Sequence, residues 1–64
     1  MEEFYKIIDS EGHTNLINLN QVIVVDFHEE EHLIVFDEIL KIKVSPQDYR
    51  WVRRDLLDRL WNTI

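Results

Sequence analysis

The sequence predicts a small α+β fold: an antiparallel sheet or half-barrel of about five strands, followed by one C-terminal helix packed on one face. Short apolar runs rich in β-branched residues, separated by polar turns, fill roughly the first two thirds of the chain. Apolar residues then recur at helical spacing behind a helix start signal. The 64 residues include one glycine and one proline. Such a chain is neither a linker nor a disordered tail, so residues 1–64 are expected to form a single small domain.

Polar turn residues separate the predicted strands. Gly12 is expected to adopt a positive φ in the first turn, because glycine has no Cβ to clash there. The asparagines around Asn18 suggest a bend or bulge before the third strand. That strand carries the strongest signal, with β-branched residues throughout Val22–Val25. The five strands are predicted at about residues 3–8, 15–19, 22–28, 32–37 and 39–44.

The helix start is the clearest local signal in the chain. Ser45 fits the N-cap position, Pro46 fits the first helical position with its preset φ, and Asp48 lies near the positive end of the helix dipole. These residues predict a helix over about 46–62. Its apolar residues form one stripe that should face the sheet, namely Tyr49, Val52, Leu56, Leu60 and Ile64.

The turn lengths predict how the last three strands pair. A three-residue loop at Glu29–Glu31 and a two-residue turn at Asp37-Glu38 give consistent faces. The face under the helix then carries Ile23, Val25, Phe27, Leu33, Val35, Leu40 and Ile42. The opposite face carries Val22, Val24, Asp26, Ile34, Phe36, Ile39, Lys41 and Lys43. A slip of one residue would exchange the faces of a strand.

The face away from the helix is half apolar, and one helix covers only one face of a sheet. Either the sheet curls into a small barrel that encloses this face, or a partner covers it. The turn lengths favour the partner. The predicted partner-binding residues of this face are Val22, Val24, Ile34, Phe36 and Ile39.

The back of the helix is a second candidate binding surface. Arg50, Arg54 and Trp61 fall within about 40° of one another on a helical wheel, and Trp51 points away from the core stripe. Exposed tryptophan and arginine are enriched at binding hot spots, so these four residues are also predicted to bind a partner. In the alternative interpretation, Trp51 packs on the chain entering the helix and Trp61 folds back on the sheet rim.

The charges are segregated along the chain. Residues 1–40 carry a net charge of −9, residues 41–64 a net charge of +3, and the whole chain −6. The two parts are expected to attract each other within the fold. A second hypothesis is a small acidic inhibitor of phage type, a nucleic-acid mimic that occupies the basic cleft of an enzyme. A small barrel that binds nucleic acid through Lys41, Lys43, Arg50, Arg54 and Trp61 fits the negative charge less well.

Nothing in the sequence predicts catalysis, a cofactor or a small-molecule substrate. His28 and His32 flank three glutamates and would converge across a hairpin, as a metal pair would. No further histidine or cysteine completes a ligand set, so a solvated hairpin tip is the preferred interpretation and no metal is predicted.

The remaining features of the sequence predict the location and the function of the protein. The chain has no cysteine, no signal-peptide pattern at its start and no apolar run near the ~20 residues of a membrane helix. A cytoplasmic protein is therefore expected. The apolar surplus and the absence of catalytic motifs predict a non-enzymatic protein–protein interaction module. It is expected either to form a homodimer or to dock on another protein.

Overall fold

The computed structural model describes residues 3–62, which form five antiparallel strands in two sheets followed by one helix. This is the predicted α+β fold class. Within these residues, no helix is both long and apolar enough to cross a membrane. The first sheet is the hairpin of β1 (Phe4–Ile8) and β2 (Thr14–Asn18). The second sheet contains β3 (Asp26–His28), β4 (Leu33–Val35) and β5 (Lys41–Lys43), with β4 in the centre. The helix α1 spans Pro46–Asn62.

The turn of the first hairpin is built by Asp9 and Gly12. Gly12 has φ +89°, as predicted. The Asp9 carboxylate accepts hydrogen bonds from the backbone N–H groups of His13 (2.9 Å) and Glu11 (3.0 Å). These bonds, chiefly the one from His13, hold the pKa of Asp9 below its ordinary value. The turn is therefore fixed by one local acceptor and one residue that tolerates the left-handed region.

The predicted third strand is wrong over its first half. A short 3₁₀ helix, Leu19–Gln21, follows β2, and residues 22–25 have no regular secondary structure. The side-chain oxygen of Asn18 caps the 3₁₀ helix by accepting from the N–H of Asn20 at 3.0 Å. The predicted bend near Asn18 is thus present. It delays the strand to Asp26, because the capped helix and burial of Leu19 outweigh the β-propensity of the following residues.

The predicted register of the second sheet is wrong by one residue at β4. The β3–β4 loop contains four residues, Glu29–His32, and the β4–β5 turn contains three, Asp37–Ile39. Each is one residue longer than predicted. Phe27 therefore lies opposite Ile34, which lies opposite Ile42.

The slip exchanges the two faces of β4. Ile34 is fully buried and Phe36 is 9% exposed, while Leu33 and Val35 are only partly buried and lie on the outer face. The outer face is consequently polar at both margins, with Asp26 and His28 on one side of β4 and Lys41 and Lys43 on the other. The apolar row predicted there does not exist. Barrel enclosure of that row is not seen either, since Val24 and Ile39 stay exposed.

Helix α1 covers the apolar inner face shared by the two sheets. Ser45 accepts backbone hydrogen bonds from Asp48 (3.0 Å) and Tyr49 (2.9 Å), and its hydroxyl donates to the Asp48 carboxylate at 3.1 Å. The helix start is therefore as predicted. The predicted core stripe is confirmed for its described residues, and Ile64 lies outside them. The core consists of Tyr5, Ile7, Ile17, Leu19, Ile34, Phe36, Ile42, Val44, Tyr49, Val52 and Leu56, with Leu60 packed against it.

Candidate protein-binding surface

Four residues of α1 form a continuous line on the side of the helix away from the core. Arg50, Arg54, Leu57 and Trp61 fall within about 60° of arc at 100° per residue, and we call them the outer stripe. Trp61 is 79% exposed and Leu57 is 40% exposed. The stripe therefore presents an apolar half and a cationic half to solvent.

Arg53 belongs to the same helix but points toward the second sheet. Its guanidinium carbon lies 5.3 Å from the centre of the Phe27 ring. Its Nε lies 2.8 Å from a carboxylate oxygen of Glu29, in the β3–β4 loop. Arg53 thus connects α1 to the second sheet through a ring contact and an ion pair.

Arg59 makes the equivalent connection to the first sheet. Its guanidinium carbon lies 5.1 Å from the centre of the Tyr5 ring. Its Nη1 lies 3.2 Å from a carboxylate oxygen of Glu3, just before β1, and its Nε lies 3.7 Å from Asp55. The basic helix and the acidic first part of the chain therefore attract each other, as the segregated charges predict.

Arg50 and Arg54 have different surroundings from Arg53 and Arg59. Within residues 3–62 neither makes an ion pair, and both are exposed. The difference follows from their position on the helix circumference, opposite the sheets. Their guanidinium groups are available to aromatic rings or carboxylates of another molecule.

The two tryptophans of α1 differ in how firmly the fold holds them. The Trp51 indole N–H donates to the Asp48 carboxylate at 3.1 Å, and the residue is half exposed. Trp51 is therefore tied to the first turn of its own helix, which partly fits the alternative interpretation. Trp61 does not fold back on the sheet rim, because most of its surface is exposed.

A shallow apolar groove adjoins the outer stripe. Leu57 and Leu60 line it on the helix side, and Val22, Ile23 and Phe27 line it on the other. Ile23 is 94% exposed, although its predicted place was under the helix. The sequence pattern did not indicate Ile23, because its exposure depends on the 3₁₀ helix that displaces it from the sheet.

The structure separates the predicted binding residues of the sheet face. Ile34 and Phe36 are core residues and cannot contact a partner from their buried positions. Val22 is half buried against the core, while Val24 is exposed beside the groove-lining Ile23. Ile39 is exposed in the β4–β5 turn. Only the residues on the helix remain together as one surface.

The outer face of the first hairpin is a further exposed apolar region that the sequence did not indicate. Phe4, Ile8 and Leu16 project from it, with Lys6 opposite Leu16. Their alternation with the buried residues of β1 and β2 was visible in the sequence. The turn lengths predict faces for the last three strands alone, so no outer face was assigned to β1 and β2.

The histidines of the second sheet do not form a pair. His28 lies opposite Leu33, and the ring of His32 packs edge-on against Tyr49 with 5.3 Å between ring centres. His32 has φ +55°, in the left-handed region, at the last position of the four-residue loop. Among the described residues, no three histidine or carboxylate side chains are grouped to hold a metal ion.

No family model, curated protein or solved structure matches this chain. The outer stripe combines apolar and cationic side chains. When another surface covers Leu57 and Trp61, their apolar area is removed from water, which is favourable. The guanidinium groups of Arg50 and Arg54 can stack on rings or bind carboxylates. These are properties of a binding surface.

Proposed function

We propose that the protein is a non-enzymatic protein–protein interaction module that self-associates through the outer stripe of α1. The observation that carries this proposal is the exposure of Trp61 in one line with two arginines that make no ion pair within residues 3–62. An indole in water gains from being covered, and arginine and tryptophan are the residues most enriched at binding hot spots.

A second copy of the chain is the occupant that best matches the stripe. The stripe carries both a cation and an aromatic ring, which are the two partners of a cation–π contact. The chain already packs arginine against rings at Phe27 and Tyr5. Small domains without disulfides or metals often gain stability by association, and a twofold dimer is the commonest form.

The groove beside the stripe enlarges the proposed interface, whereas the net charge of the chain weakens it. Ile23 and Leu57 line the adjoining groove, so a second helix lying on the stripe would also cover Ile23. Each copy carries a net charge of −6, and the two copies repel at long range. We therefore expect a weak dimer, with a dissociation constant of about 10–100 µM.

Sedimentation equilibrium over a concentration series tests the proposal. The wild type should pass from monomer to dimer as its concentration rises. Trp61→Ser should remain monomeric over the same range, because it removes the largest exposed ring of the stripe. Leu16→Ser is the matched control, since it also removes an exposed apolar side chain but lies on the first hairpin. It should dimerise as the wild type does.

Two results would contradict the proposal. A wild type that is monomeric at millimolar concentration would remove self-association. Loss of the dimer in Leu16→Ser, with Trp61→Ser unaffected, would move the interface to the first hairpin.

An acidic inhibitor that mimics nucleic acid is the weaker alternative. Several of its carboxylates already have structural roles: Asp9 and Asp37 bind backbone N–H groups in turns, and Glu3 and Glu29 pair with arginines of α1. Those side chains are less available to a basic cleft. The proposal includes a cytoplasmic location, which rests on a sequence without cysteine.

A further inference from the structure

We infer that two copies pair through antiparallel α1 helices, with Arg50 of each copy stacked on Trp61 of the other. This inference rests on the proposed self-association and adds the orientation and register of the two helices. It follows from the spacing of the outer stripe, from its charges and from the arginine–ring contacts within the chain.

The spacing of the outer stripe is the same in both directions along the helix. Its successive residues are separated by four, three and four positions, and the midpoint of the set falls between Asp55 and Leu56. A twofold axis at this midpoint, perpendicular to the helix, places Arg50 opposite Trp61 and Arg54 opposite Leu57 of the second copy. Spacings of three and four also keep the stripe on one side over three turns, as helix pairing requires.

The charges of the stripe favour antiparallel over parallel pairing. In a parallel pair, Arg50 would face Arg50 and Arg54 would face Arg54 of the second copy, and like charges would meet twice. In the antiparallel pair each of these arginines faces an apolar side chain. The two helix dipoles are then also opposed, which is the more favourable arrangement.

The predicted contact has two precedents within the chain. Arg53 lies over Phe27 and Arg59 over Tyr5, with guanidinium-to-ring distances of 5.3 and 5.1 Å. Both arginines come from α1 and reach a ring on a neighbouring element. Within residues 3–62, Trp61 lacks such a cover, being 79% exposed, and Arg50 has no ion pair. Pairing of two copies would give Trp61 the same kind of neighbour.

A charge exchange at the ends of the stripe tests the orientation. The dissociation constant is measured by sedimentation equilibrium for the wild type, Arg50→Glu, Trp61→Arg and the double variant. Arg50→Glu removes the cation from each ring, and Trp61→Arg places two arginines against each other. Each single variant should weaken the dimer at least about tenfold, because twofold symmetry removes the contact twice. The double variant restores opposite charges at both ends and should return to within about threefold of the wild type.

The possible outcomes separate the orientation from self-association itself. A double variant weaker than both single variants would overturn the antiparallel register, because parallel helices would then set Glu against Glu and Arg against Arg. Self-association would survive that result, since the wild type would still dimerise. Single variants that bind as tightly as the wild type would also overturn the inference, because neither end of the stripe would then contribute. All four residues of the stripe are at the surface, so these substitutions leave the core intact.

Discussion

Two tyrosines place titratable hydroxyl groups in the core of this protein. Burial raises the pKa of Tyr49 to about 12, and the nearby Glu29 carboxylate adds to the shift. Burial also raises the pKa of Tyr5 well above its ordinary value, with a further contribution from Asp55. Both side chains therefore keep their protons in the folded protein at pH values where they would ionise in the unfolded chain.

Stability should therefore fall at alkaline pH. Below pH 10 both tyrosines are protonated in the folded and unfolded states, and their contribution to stability is complete. Between pH 10 and 12 the unfolded chain releases the Tyr49 proton that the folded protein retains, so unfolding is favoured. The loss should be on the order of 1 kcal/mol per pH unit for each tyrosine.

Urea unfolding of the wild type and Tyr49→Phe across this range measures the effect. Other groups also titrate there, so the informative quantity is the difference between the two proteins. Tyr49→Phe should lose less stability per pH unit than the wild type above pH 10. Parallel curves would contradict the assignment.

At the scale of elements, one carboxylate decides how β4 and β5 pair. The Asp37 carboxylate accepts hydrogen bonds from the backbone N–H groups of Ile39 (2.8 Å) and Leu40 (2.6 Å). These bonds, the one from Leu40 first, lower the pKa of Asp37. They hold a three-residue turn, and this length sets Ile34 rather than Leu33 on the inner face.

Replacing Asp37 should reveal this role. Asp37→Ala should lower the urea midpoint, because two backbone donors lose their acceptor. Asp37→Asn keeps a side-chain oxygen and should recover most of the midpoint at neutral pH. The pKa of Asp37 is lower in the fold, so its contribution is present above about pH 3.8 and is lost as the pH falls through the folded value. Asp37→Asn should therefore lose less stability than the wild type on acidification. Equal urea midpoints for all three proteins at pH 7 would contradict the role of Asp37 in holding the turn.

The structural features that the sequence predicted correctly are those that depend on residues adjacent in the chain. The helix limits, its cap and the left-handed Gly12 follow from local chemistry, and the structure has all three. The register did not follow, because both loops differ by one residue from the lengths assumed. Arg50, Arg54 and Trp61 of the candidate surface were found through helical periodicity. Ile34 was misplaced because periodicity in a strand cannot show which parity is buried.

At the scale of the whole molecule, the segregated charges join elements that are distant in the chain. Arg59 lies in the last turns of α1, and Glu3 precedes β1. Their ion pair, together with the stacking of Arg59 on Tyr5, holds the end of the helix against the first sheet. Arg53 does the same for the second sheet. The helix thereby keeps two separate sheets around one core.

Removing one of these connections should destabilise the fold. Arg59→Met keeps much of the apolar stem but loses the charge, and should lower the free energy of unfolding by about 1 kcal/mol, since the group is partly exposed. Arg54→Met is the matched control on the same helix and should change it by less than about 0.5 kcal/mol. Urea unfolding at concentrations below those at which the proposed dimer would form compares them without a contribution from association. Equal effects in the two variants would contradict the assigned role of Arg59.

The order of elements along the chain has a consequence for synthesis. Helix α1 follows all five strands, yet it supplies Tyr49, Val52 and Leu56 to their common core. A ribosome adding about 5–20 residues per second needs roughly one to three seconds for the seventeen residues of α1. During that interval the inner faces of the two sheets are not covered by α1. We therefore expect the nascent chain to expose apolar surface, to which chaperones can bind, until α1 is complete.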